Sequence, residues 1–97
     1  MLKSDSKFVG VWDGNTEKGC IIFNRISGAW GLHLCLATWW TKTRIVIKDA
    51  IKLVIPAGGT IVAEYDCTRN SLNRLLDDIG FSIGIIHDGK RIRTFTI

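Results

Sequence analysis

The sequence is poor in the residues that would mark a metal site, a disulfide framework or a membrane span. Its three cysteines, Cys20, Cys35 and Cys67, form no Cys-x-x-Cys pair, and neither histidine lies at a ligand spacing from them. Because their number is odd and each lies in strand-like sequence, we expect buried, reduced thiols. No apolar stretch reaches about 18 residues, and no apolar signal region opens the chain. The sequence therefore predicts no membrane span and a cytoplasmic location, in a cell or in a host.

An excess of charge of one sign is present but mild. The net charge is +4, and the basic residues are spread along the chain, with local groups at 42–44 and 90–93. Such a balance suits an anionic ligand or an acidic protein. No basic run is typical of a nucleic-acid-binding arm, so we do not expect nucleic acid among the partners.

Linkers, repeats and low-complexity segments are also lacking, and Pro56 is the only proline. Hydrophobic residues make up 46% of the 97 residues and charged residues 23%, which is typical of a globular chain. Four tryptophans and four phenylalanines supply a large apolar area for so short a sequence. We expect one domain over residues 1–97.

Two segments have helical periodicity. In 43–55, Arg44, Lys48 and Lys52 recur every four residues, although the β-branched run 45–47 by itself favours a strand. In 70–79, four leucine and isoleucine residues lie on one helical face, and Gly80 follows as a stop signal. We expect Thr41 or Thr43 to cap the first helix, and Asn70 or Ser71 to cap the second.

The remaining segments are typical of strands, and turn signals separate them. Asp88-Gly89 is the strongest of these signals and predicts a hairpin. The central β-α-β unit should be parallel with a right-handed crossover. The sequence predicts an α+β fold with one mixed sheet, whose helices lie on opposite faces or on one face. The predicted elements are strands at 8–12, 19–26 and 30–37, a helix at 43–55, a strand at 60–66, a helix at 70–79, and strands at 81–86 and 90–97.

This β-β-β-α-β-α-β-β order resembles the GNAT N-acetyltransferase fold over residues 8–97. The segments that carry the resemblance are 61–65 (IVAEY), 69–72 (RNSL) and 77–84 (DDIGFSIG), in which a Gly-Phe ends the second helix. The strand 30–36 (WGLHLCL) is similar to that of small phage-encoded members of the family. The resemblance implies an acyl-CoA-dependent acetyl transfer to an amine, with acetyl-CoA as cofactor and no metal.

The sequence departs from the family pattern at three places. The family's first strand and first two helices have no counterpart here. The pyrophosphate loop, Arg/Gln-x-x-Gly-x-Gly/Ala in the family, corresponds to 39–44 (WWTKTR), and threonines should crowd the approach of a phosphate. The family's general-acid tyrosine corresponds to Leu76.

His33 is the candidate catalytic base. On its strand it projects away from Leu32 and Leu34, and an imidazole can accept a proton from an amine near neutral pH. The alternative is a partly buried histidine satisfied by a backbone group. Glu64 and Asp66, on the next strand, are alternative bases.

The resemblance also implies where the cofactor would lie. Strands 30–37 and 60–66 would separate and hold pantetheine between them, and residues 41–44 would hold the pyrophosphate. The implied cofactor-binding residues are Leu34, Cys35, Leu36, Thr41, Lys42, Thr43, Arg44 and Asn70.

The departures leave a second class of function open. A GNAT-like fold without catalysis would act as a binding or structural protein through protein–protein contacts. One of the adjacent indoles Trp39 and Trp40 would then lie at an interface. An uncovered sheet edge would allow a homodimer or a contact with another protein.

Overall fold

The computed structural model describes residues 6–36 and 41–97. The predicted order of eight elements is confirmed. The Trp39-Trp40 pair falls outside the described residues, as does Ala37, the predicted end of the third strand. The elements are β1 (Lys7–Asp13), β2 (Thr16–Ile26), β3 (Ala29–Leu36), α1 (Thr43–Val54), β4 (Thr60–Asp66), α2 (Asn70–Ile79), β5 (Ile85–His87) and β6 (Lys90–Thr96).

The six strands form one mixed sheet in the order β1-β2-β3-β4-β6-β5. The β3–β4 pair is parallel, and the other four pairs are antiparallel. The predicted α+β class is confirmed. Since α1 connects the two parallel strands, β3 and β4 run in the same direction at the centre of the sheet.

Both helices pack on the same face of the sheet, which answers the question that the sequence left open. Alternate strand residues on this face, such as Phe23, Leu32 and Ile61, join Ile47 of α1 and Leu76 of α2 in one core cluster. The intervening strand residues point to the other face, which no described helix covers. We call this second face the open face.

The helix ends were predicted only in part. Lys42 and Arg69 occupy the N-cap positions of α1 and α2, and neither makes a side-chain cap hydrogen bond. The predicted caps at Thr41 or Thr43 and at Asn70 or Ser71 are therefore wrong. Gly80 ends α2 as predicted, in the left-handed conformation at φ 111°, where its N–H binds the carbonyl of Leu76.

The predicted strand 81–86 is mostly wrong, because only Ile85–His87 pairs with β6. The segment before it is held differently. The guanidinium of Arg93 donates to the carbonyls of Phe81 and Ser82, and Gly84 has a φ of 76° that interrupts a strand. The predicted Asp88-Gly89 turn does join β5 to β6.

The cysteines are less buried than predicted. Cys35 is exposed, and Cys20 and Cys67 are partly buried. No helix within residues 6–36 and 41–97 is long and apolar enough to cross a membrane.

Candidate functional site

The central parallel strands β3 and β4 separate after a short contact. They pair only at Trp30 with Ile61 and at Gly31 with Val62. Beyond these pairs β3 continues to Leu36, still paired on its other side with β2, and β4 continues with β6. A gap with two backbone edges therefore opens in the middle of the sheet, on the side towards which both strands run.

A cavity of about 290 Å³ fills this gap on the helix side. Leucines from β3 and α2 make most of its apolar wall, and the predicted cofactor residues Leu34, Cys35 and Leu36 lie along one edge. The complete lining is Leu32, His33, Leu34, Cys35, Leu36, Ala63, Glu64, Tyr65, Arg69, Leu72 and Leu76.

His33 and Glu64 lie at the mouth of the gap. Each is two residues beyond the last paired positions of its strand, and both side chains point to the open face. Both are exposed, so His33 is not the partly buried histidine of the alternative interpretation. Within the described residues, no hydrogen bond or ion pair occupies either side chain. A histidine and a carboxylate therefore face solvent at the same opening.

Asp66, the other alternative base, has a structural partner. Its Oδ1 accepts hydrogen bonds from the backbone N–H of Thr68 at 3.0 Å and from the Thr68 hydroxyl at 2.7 Å. These two hydrogen bonds lower the pKa of Asp66 below its ordinary value. A carboxylate held in this way caps the turn into α2 and is a weak proton acceptor.

A second cavity, of about 220 Å³, opens from the same mouth onto the open face. It shares Leu32, His33 and Glu64 with the first cavity. Its other walls are Ile26, Gly31 and Val62. A cavity on the helix face and a cavity on the open face thus both border the gap between β3 and β4, and His33 and Glu64 line both of them.

The N-termini of α1 and α2 lie beside the gap because both helices follow strands that end there. The first helical hydrogen bonds run from the N–H of Val46 to the carbonyl of Lys42 in α1, and from Asn73 to Arg69 in α2. Neither first turn contains an acidic residue, and neither has a side-chain cap. Unpaired N–H groups and the helix dipole make such ends suitable for anions.

A surface cavity of about 330 Å³ lies between the two helices. It brings the predicted Arg44 and Thr41 together with Arg74 and Ser71 of α2, and Asp78 adds one negative charge. Thr43 also contributes to it but is only 3% exposed. Because the Thr43 side chain is buried, it does not obstruct a phosphate at the N-terminus of α1, contrary to the crowding that we expected from the sequence.

The other predicted cofactor residues are placed less favourably. Lys42 reaches towards Asp13, with 3.5 Å between Nζ and Oδ1, and both side chains are exposed. Asn70 lies with Arg69, Ser71 and Leu72 in a separate open depression at the start of α2. The structure therefore brings Arg44 and Thr41 together but directs Lys42 elsewhere.

Three polar residues near the cavities were not predicted. Arg69 and Arg74 add positive charge at α2, and Tyr65 lies in the wall of the helix-side cavity. The Tyr65 hydroxyl donates to Oδ1 of Asn73 at 2.6 Å. Tyr65 is the only tyrosine in the sequence, whereas Leu76, which we expected at the position of the family's tyrosine, is fully buried. The Arg-Asn-Ser run at the start of α2 was the available sequence signal for Arg69, and Arg74 had none.

Cys20 and Cys35 are direct neighbours across β2 and β3 on the open face. Partial burial raises the pKa of the Cys20 thiol, and the adjacent Cys35, to which it is hydrogen-bonded, raises it further. Within residues 6–36 and 41–97, no group of three or more His, Cys, Asp or Glu side chains could hold a metal ion.

This architecture is that of a GNAT-like fold, and solved structures match it. The structure is similar to the Campylobacter jejuni N-acetyltransferase PseH in complex with acetyl coenzyme A, with a TM-score of 0.79 and 16% sequence identity over 97% of this chain and 70% of that chain. A second PseH structure matches with a TM-score of 0.80 at the same identity and coverage. No family model matches the sequence, and no curated protein does either.

Proposed function

We propose that the chain transfers an acetyl group from acetyl-CoA to an amine. The observation that carries this proposal is the gap between β3 and β4, which has a cavity on each face of the sheet and His33 and Glu64 in the lining of both. A donor entering from the helix face and an acceptor entering from the open face would meet at these two side chains. PseH, with the same fold, was crystallised with acetyl-CoA.

The helix-side cavity has the chemistry to hold the donor. The pantetheine arm contains amide groups, and these can pair with the β3 edge at 34–36 as an added strand would. The phosphates would lie at the N-termini of α1 and α2, where Arg44, Arg69 and Arg74 supply positive charge. Lys42 and Asn70 have smaller roles in this arrangement because they lie outside the cavity between the helices.

His33 would accept the proton of the attacking amine, and Glu64 would attract the amine in its protonated form before that step. Bound acetyl-CoA supplies the acetyl group as a thioester. His33 would first take one proton from the ammonium ion and release it to solvent, so that the free amine can attack. As the N–C bond forms and the C–S bond breaks, the second N–H proton would pass to His33 and from there to the sulfur of the leaving group. Both side chains are exposed to the acceptor side, so proton exchange with solvent can complete the cycle.

The first test is calorimetric titration of acetyl-CoA into the full chain. We expect a micromolar Kd, and a roughly tenfold weaker Kd for Arg44→Ala and for Arg74→Ala, since each removes a charge-assisted phosphate contact. Lys52→Ala is the matched control. It removes the same charge from the last turn of α1, far from the cavity, and should leave the Kd unchanged.

The second test measures the release of free thiol in the presence of an amine. His33→Gln should lower kcat at neutral pH by about a hundredfold or more without weakening acetyl-CoA binding. Absence of binding heat at millimolar acetyl-CoA would reject the enzyme proposal. The remaining candidate would then be a protein without catalysis that acts through protein–protein contacts or as a homodimer.

A further inference from the structure

The open face carries apolar side chains that no described helix covers. Phe8 and Ile26 are 51% and 55% exposed, and Trp12 and Ile85 are exposed too. Isolated exposed apolar residues are ordinary, but these four belong to one sheet face. Their arrangement relative to His33 and Glu64 indicates what this face could bind.

Strand register places six of the open-face residues in a single row across the sheet. Phe8 pairs with Ile22, and Ile22 pairs with His33. Glu64, across the gap from His33, pairs with Ile92, which in turn pairs with Ile85. We call Phe8, Ile22, His33, Glu64, Ile92 and Ile85 the cross-sheet row. Its two central members are polar and its four outer members are apolar.

The open-face cavity adjoins the row at His33 and Glu64 and extends along β3 and β4 to Gly31 and Val62. Apart from His33 and Glu64 its walls are apolar, and Ile26 forms its side towards β2. Gly31 leaves room in its floor, because a Cβ there would lie 2.8 Å from Cδ1 of Ile26 and 3.8 Å from Nε2 of His33. From His33 across β2 to Phe8 is two strand spacings, roughly 10 Å.

The charges of this surface match one ammonium group. Glu64 is the only carboxylate in the row, and no described residue neutralises it. Asp66, two residues further along β4, is held by Thr68, and Glu17 lies towards the other end of this face, near Cys20. A polyamine would need further carboxylates along its length, and an amino sugar would need several hydrogen-bonding partners. Ile22, Ile26 and Phe8 offer neither, and Oδ1 of Asn24, the polar residue between the two isoleucines, already accepts a hydrogen bond from the Ser6 hydroxyl.

We propose that the acceptor is a primary monoamine with an apolar carbon chain or aromatic ring. This inference rests on the proposed acetyl transfer. The ammonium group pairs with Glu64 beside His33, and the apolar body lies over Ile26 and Ile22 towards Phe8. Burial of each methylene strengthens binding about fourfold, so extending the chain lowers the Kd until the chain passes Phe8.

The test compares n-hexylamine and phenethylamine with ethanolamine, spermidine and glucosamine. Binding is followed by backbone amide NMR shifts with CoA present and absent, so the readout does not depend on turnover. We expect hexylamine to bind at least tenfold more tightly than ethanolamine and to shift the amides of Phe8, Ile22 and Ile26. Preference for spermidine or glucosamine, or shifts confined to other surfaces, would overturn the inference.

Substitutions locate the apolar body. Phe8→Ala should weaken hexylamine binding about three- to tenfold, whereas Leu53→Ala, an exposed apolar residue of α1, should not affect it. Gly31→Ala should fill the cavity floor and weaken amine binding while acetyl-CoA binding is unchanged. Equal effects of Phe8→Ala and Leu53→Ala would contradict the placement.

The two proposals fail differently. Loss of acetyl-CoA binding heat would reject the acetyl-transfer proposal, whereas the amine shifts would still be measurable. Acetyl-CoA binding with no preference for apolar amines would reject only the acceptor class. Light scattering that shows a dimer, with Phe8→Ala dissociating it, would mean that a second copy covers the open face and would also overturn the acceptor inference.

Discussion

Arg93 allows the sharpest stability prediction, because its charged side chain is 1% exposed in so small a protein. Its Nε donates to the carbonyl of Ser82 at 2.6 Å, Nη1 to that of Asn73 at 3.0 Å, and Nη2 to that of Phe81 at 3.1 Å. Nη2 also pairs with Asp77, whose side chain is 60% exposed. The guanidinium thus joins β6 to α2 and to the segment that follows it.

The environment favours the charged form of Arg93. Burial by itself lowers the pKa of the guanidinium, but hydrogen bonds with Tyr65 and Asp77 outweigh burial and raise the pKa above its ordinary value. Arg93→Met retains the unbranched stem and removes every donor. Three backbone carbonyls then lose their partner, at about 1 kcal/mol each, so we expect a loss of about 3 kcal/mol. A domain of this size has a total stability of about 5–15 kcal/mol.

The assay is urea unfolding followed by tryptophan fluorescence, with thermal unfolding as a second measure. A loss of about 3 kcal/mol corresponds to a fall in Tm of roughly 12–24 °C. Asp77→Asn is the control: it retains an acceptor on an exposed side chain and should cost less than about 1 kcal/mol. A loss below about 1 kcal/mol for Arg93→Met would refute the reasoning that these buried carbonyls depend on the guanidinium.

Three further predictions concern the turns and the thiols. Gly84→Ala should destabilise the protein much more than Gly28→Ala in urea unfolding: both have positive φ, but only at Gly84 would a Cβ collide with a neighbouring carbonyl. Asp66→Asn should lower stability at pH 7. Because the folded pKa of Asp66 is depressed, the difference from wild type should be full above the unfolded pKa of about 3.9 and disappear as pH falls through the folded pKa. Iodoacetamide at pH 8 should modify Cys35 faster than Cys20, whose raised pKa and partial burial leave less accessible thiolate. Peptide mass spectrometry measures the two rates, and faster modification of Cys20 would contradict the prediction.

The contact between Arg93 and α2 also supports one wall of the candidate site. Leu72 and Leu76 of α2 form one wall of the helix-side cavity, and Arg93 attaches α2 to β6. A variant that loosens this attachment should also widen the cavity. Acetyl-CoA binding to Arg93→Met should therefore be measured at a temperature and a urea concentration below its unfolding transition, where the folded state is populated.

Local sequence patterns determined much of the secondary structure. The leucine spacing of α2, the glycine at its end and the Asp-Gly turn before β6 each act within a few residues, and the bounds of β4 and α2 match the prediction. The predicted caps were wrong because residue types that commonly cap helices lie at both helix starts: threonine at α1, and asparagine and serine at α2. In the folded backbone the N-cap positions are instead occupied by Lys42 and Arg69. The composition of segment 81–84 favours a strand, yet Arg93, which lies 11 residues beyond Ser82 and 12 beyond Phe81, donates hydrogen bonds to their carbonyls.

The site depended on tertiary structure. The sequence alone indicated that His33 projects away from its leucine neighbours, because side chains alternate along a strand. It could not show that both helices share one face, that β3 and β4 separate after two pairs, or that His33 and Glu64 both lie at the opening. Those relations follow from the register between β3 and β4, whose paired residues are 31 positions apart, and from the packing of the whole core. Short-range periodicity contains no information about either. The cross-sheet row, with its polar centre and apolar flanks, forms only when the registers of all five strand pairs are in place.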